Sequence, residues 1–96
     1  MRDLPYPPNV STSPDATEVL RAWVVQGGLT VALDPVFEGP AVWGVFLVDV
    51  ARHVARTYAD MKKCSEEEAL EQLYEMFQQE WHRPTDLGET HDLKRN

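Results

Sequence analysis

Ninety-six residues supply one domain's worth of chain, and 43% apolar with 26% charged residues is the composition of a folded protein rather than a disordered one. The net charge of −7 argues against nucleic acid or an anionic membrane as partner, since both call for a basic patch to neutralise phosphates. The charge is not segregated: residues 1–48 hold five acids and two bases, residues 49–96 eleven and seven.

A single cysteine, Cys64, excludes an intrachain disulfide and a CxxC site, and the default setting is a reducing cytoplasm. The proline-rich start has no apolar run that would read as a signal peptide. The longest apolar stretch, 40–48, is far short of the roughly 20 residues that span a bilayer.

Leu4-Pro5-Tyr6-Pro7-Pro8 cannot be helical, so residues 1–12 are expected as an extended arm, with Leu4 and Tyr6 available to anchor it in a groove. Ser13-Pro14-Asp15 reads as a capped helix start. Ala16, Val19, Leu20, Trp23 and Val24 would then form the apolar stripe of a short helix that Gly27-Gly28 stops. Leu29, Thr30, Val31, Ala32 and Leu33, with Asp34, make the one convincing strand, ended by Pro35. Its backbone needs a neighbour. Two sources are open: the same strand of a second copy across a two-fold axis, or the N-terminal arm.

Gly39-Pro40 opens a long helix to about Met61, with Trp43, Phe46, Leu47, Val50, Val54 and Tyr58 on one broad face. Val42, Val45 and Val48 make its first half apolar all round, so that half is expected between two covering layers. Ser65 and Glu68 stand at capping-box spacing, and Leu70, Leu73, Tyr74, Phe77 and Trp81 give the stripe of a last helix that Arg83-Pro84 ends. The short link between the two predicts an antiparallel helical hairpin, with Trp43, Leu47, Val50, Val54, Leu70, Leu73, Phe77 and Trp81 in one core. The expected architecture is therefore α+β: a short helix, one strand and a long hairpin within 13–84, and a disordered polar tail over 85–96.

Asp49, Arg52, His53 and Arg56 are the most chemical cluster, all within one turn or two of the long helix. Asp49 and His53 have the spacing of an orienting acid and a base, but no nucleophile stands in a recognisable setting. An ion-pair lattice is the plainer reading, with Asp49 partly buried and Arg21 a more distant partner. A patch for a ligand or partner protein is the sharper one. His53, Cys64, His82 and His91 show no ligand spacing, so no metal centre or other cofactor is expected. Trp23, Trp43 and Trp81 each fall on an apolar stripe and read as core.

Trp43-Gly44, Leu47, Asp49 and Ala51-Arg52-His53-Val54-Ala55, with Leu20, Trp23 and Gly27-Gly28 ahead of them, resemble a family of short bacterial proteins known as a domain of unknown function. The likeness runs over about residues 4–86. It implies a whole small protein, and it carries over no activity, cofactor or catalytic residue. The functional expectation is a non-catalytic homodimeric accessory or interaction protein. The alternative is a small-molecule-binding protein or minor enzyme using Asp49, His53, Arg52 and Arg56.

Overall fold

A computed structural model describes residues 3–85 and 88–92. The elements run α1 (Pro8–Thr12), β1 (Leu20–Val25), β2 (Gly28–Leu33), α2 (Pro40–Asp60), α3 (Glu66–His82) and β3 (Glu89–Asp92). The α+β class and the long helical hairpin are as the sequence predicts. The first half of the chain is not.

The stretch expected as a helix after Ser13 is mostly strand β1. Spacings of three and four over so short an apolar run fit a helix stripe and a strand equally well, and β-branched Val24-Val25 beside Trp23 favour the strand. Gln26 and Gly27 both have positive φ, 52° and 81°, the mark of a two-residue type I′ hairpin turn. What looked like a helix stop is thus the tip of a hairpin. β1 and β2 pair antiparallel from Val25↔Gly28 to Leu20↔Leu33, and Asp34 N–H extends the ladder to the Val19 carbonyl at 3.0 Å.

β3 lies parallel to β2 on its other side, Thr30↔Glu89 through Leu33↔Asp92. The sheet order is β1-β2-β3. Leu29, Thr30, Val31, Ala32 and Leu33 therefore have a neighbour on each side within the chain. This corrects the expected pairing of that strand with a second copy or with the arm. The strand's backbone is satisfied by β1 on one side and, on the other, by a four-residue strand in a segment expected as disordered tail. The arm is corrected in part too: residues 8–12 form a helical turn begun by Pro8. Leu4 and Tyr6 are 85% and 67% exposed, so neither is buried in an apolar groove of the chain, and Tyr6 holds through its hydroxyl instead.

α2 starts at Pro40 behind an extended Gly39. It ends in a left-handed reversal at Lys62 (φ 58°), where Lys62 N–H reaches the Ala59 carbonyl at 2.9 Å and Lys63 N–H the Tyr58 carbonyl at 3.1 Å. α3 opens with the expected capping box: Glu68 N–H donates to Ser65 Oγ at 3.1 Å, and Ser65 N–H to Glu68 Oε1 at 3.2 Å.

The hairpin closes on small residues. Among the described residues only Ala55 of α2 and Ala69 of α3 are buried. On α2 the large apolar side chains around Ala55 are partly open, from Val54 (36%) to Tyr58 (48%) and Leu47 (47%), and on α3 exposure rises from half-buried Leu73 to Trp81 (73%). The expected eight-residue core is thus not enclosed by one chain. Leu47, Val50, Val54, Phe77 and Trp81 are exposed, and Trp43, Leu70 and Leu73 are half-buried. Nor is the all-apolar first half of α2 covered on both sides. Its Trp43 and Phe46 pack on each other, with ring centroids 5.2 Å apart, and on Phe37 of the preceding link at 4.9 and 6.0 Å.

The sheet has an apolar face as well. Strand alternation and the register put Leu20, Ala22, Val24, Leu29, Val31 and Leu33 on one side. No helix lies on it: no Cα of the described strands comes within 8 Å of α2 or α3. Among the described residues sheet and hairpin stand apart, joined by the link 34–39 and by the segment 83–88 between α3 and β3.

Candidate functional site

At 100° per residue, Asp49, Arg52, His53 and Arg56 share an arc of about 100° on α2. The arc continues the side that carries Val42 and Val45 and turns away from the α3 contact at Ala55. The expected grouping on one helix face is therefore present. All four residues are exposed, and among the described residues none is within ion-pair distance of another. Two parts of the expectation are corrected here. The lattice does not form, because (i,i+3) and (i,i+4) partners on an exposed face have too little to gain against their side-chain entropy. Asp49 is open to solvent rather than partly buried, since no second layer covers the back of α2.

The ion pair among the described residues lies elsewhere. Arg21 of β1 donates through Nε to Glu18 Oε2 at 2.5 Å and through Nη2 to the Tyr6 phenolic oxygen at 3.2 Å. The hydrogen bond and charge of Glu18, and after them Tyr6, raise the guanidinium pKa above its ordinary value. Arg21, named from sequence as a distant partner of Asp49, is thus committed to the arm and to Glu18 just ahead of its own strand. With Trp23 these residues line a shallow groove where Asp3–Tyr6 lies against Glu18–Trp23. This group is not legible in the sequence, because a helix over this stretch turns Arg21 and Trp23 to different faces and leaves Tyr6 in a separate arm. Only reading β1 as a strand brings them together.

A second groove of about 780 Å³ runs along the hairpin beside the turn, lined by Val54, Tyr58, Cys64, Leu73, Met76 and Phe77 among others. It is where two apolar stripes begin to part. Asp49, Arg52, His53 and Arg56 line neither groove. Cys64 is half-buried and unpaired. His82 is exposed at the C-terminus of α3 and His91 is exposed on β3, with no cluster of three potential metal ligands among the described residues. No helix among the described residues is long and apolar enough to cross a membrane.

No curated protein matches the chain. A solved structure from the photosynthetic bacterium Rhodopseudomonas palustrus CGA009, described as a candidate pyruvate dehydrogenase, is 47% identical, with all of this chain and 96% of the other aligned at a TM-score of 0.71. The profile of a "Domain of unknown function (DUF5076)" matches residues 3–85, and the chain belongs to that family.

Proposed function

We propose that the protein is a non-catalytic interaction protein that works as a homodimer. The observation that carries this is the missing core. A folded domain offsets its chain entropy by burying apolar side chains, yet among the described residues nothing larger than alanine is buried. The accessible surface is 8769 Å², about 3,100 Å² above the roughly 5,600 Å² of a compact monomer of this size. The radius of gyration is 15.3 Å, against about 12.5 Å for a compact chain of this length. Even with a third of the excess assigned to the chain ends, the remainder is that of an obligate interface, of about 2,000 Å² or more.

The placement of His53 supports the non-catalytic half of the reading. A base needs a reacting atom within about 3 Å and a wall that excludes water. His53 is exposed on a helix face, lines neither groove and has no ion-pair contact with Asp49. The description of the Rhodopseudomonas relative would make this chain an oxidative enzyme. Such chemistry requires an enclosed site that positions an electron sink against the substrate, and the two grooves described above are, within one chain, open surfaces.

Sedimentation equilibrium tests the proposal: a species of twice the chain mass is expected throughout the micromolar range. A stable monomer would overturn the dimer. A hydrolase and 2-oxo-acid oxidation screen is expected to be blank. Turnover that disappears in both Asp49→Asn and His53→Ala, with the dimer intact, would overturn the non-catalytic reading.

A further inference from the structure

We infer that the two copies are joined by exchange, the sheet of one protomer lying on the α2 layer of its partner and the partner's sheet lying reciprocally on the first. This rests on the homodimer reading and adds which surfaces meet. A sheet with one apolar face is stable only against a second layer. Among the described residues no helix lies on the face formed by Leu20, Val24, Leu29 and Val31, where Val24 is 79% and Leu29 49% exposed while Leu20 and Val31 are half-buried. α2 shows the opposite shortfall: it is a helix apolar all round its first half, with Val42, Val45 and Val48 46%, 63% and 53% exposed. One chain thus carries both a sheet that lacks a helix layer and a helix that lacks a sheet layer.

The link explains why they do not meet within the chain. Asp34 precedes Pro35 and Gly39 precedes Pro40, and a residue before proline is held extended. Gly39 shows this directly, with φ −142° and ψ 161°. The link is itself bent, Val36 N–H donating to the Asp34 carbonyl at 2.7 Å around Pro35, and Phe37 fastens it to Trp43 and Phe46 of its own α2. A short, stiff link of this kind keeps its two modules apart and favours the contact between copies. Exchange about a two-fold axis covers all four deficient surfaces at once and closes the assembly. A foreign partner would have to bring both a helix layer and a sheet layer of its own. The surface available, about 2,000 Å² per chain once the chain ends are set aside, matches an obligate contact of that kind.

Isotope-filtered NOE spectroscopy on a mixture of labelled and unlabelled wild-type chains tests the exchange. Cross-peaks between chains are expected from the methyls of Val24 and Val31 to those of Val42, Val45 or Val48. A dimer whose interchain cross-peaks run only from helix to helix would overturn the exchange and leave the homodimer standing. A monomer would overturn both. Val24→Asp, which places a charge on a sheet face that stays exposed in the single chain, should raise the dimer dissociation constant at least tenfold. An unchanged constant would also overturn the exchange.

Discussion

Among the described residues two non-glycine residues sit in left-handed conformations, and each marks a tight reversal: Gln26 at the hairpin tip and Lys62 after α2. A side chain costs about 1–2 kcal/mol in that region, and glycine there gives back part of the gain through its greater freedom when unfolded. Lys62→Gly should therefore stabilise the protein by about 0.5–1 kcal/mol, read as a higher denaturant midpoint with an unchanged slope. The reversal's two hydrogen bonds come from the backbone of Lys62 and Lys63 and are kept in the variant. Nothing about Lys62-Lys63 announces this motif in sequence, because asparagine or glycine is the usual signal. Ser65 and Glu68 were legible for the opposite reason: a capping box is a chemical pairing at fixed spacing, and it survives whatever packs around it.

At the scale of elements, legibility followed length. α2 and α3 repeat their apolar pattern over 21 and 17 residues, long enough for the period to be unambiguous. β1 has six residues and β3 four, and in β3 each residue is polar, so neither carries a period that separates strand from helix or loop. The error over β1 then propagated to the site, since the Tyr6–Arg21–Glu18 group exists only when Arg21 lies on a strand beside the arm. The grouping of Asp49, Arg52, His53 and Arg56 was readable because helix geometry alone fixes it. Their exposure was not, because it depends on what lies over α2. β2 is now the central strand, and that has its own consequence. Ala32→Pro removes a donor from a strand paired on both sides, and the variant should fail to fold, with loss of the sheet signal in far-ultraviolet circular dichroism. Retention of a cooperative transition near the wild-type midpoint would contradict the central position of β2.

For the whole molecule, a core shared between copies makes stability a property of concentration. If folding and association are one step, each tenfold rise in protein concentration adds about 1.4 kcal/mol to the stability of the dimer, and the unfolding midpoint should climb by a few degrees per decade. A midpoint independent of concentration from one to one hundred micromolar would mean that a single chain holds its own core. Leu47→Ala and Phe77→Ala separate the same alternatives. Both side chains are about half exposed in the single chain, where truncation costs little, whereas burial by a partner brings the cost to about 2–5 kcal/mol.

The polar character of β3 has a further outcome. A sheet that ends in an unpaired strand is an invitation to keep adding strands, and chains that join through sheets risk open-ended fibres. Here the outer strand on one side is Glu-Thr-His-Asp, wholly exposed and carrying two acids. On the other side the proline-bearing arm Asp3–Tyr6 lies against Glu18–Trp23, tied to Arg21 by Tyr6. Like charges oppose strand-to-strand stacking at the first edge, and proline, having no N–H, cannot extend a ladder at the second. Growth is discouraged along the sheet and left open across its face, so assembly has a built-in stopping point at a small, closed number of chains.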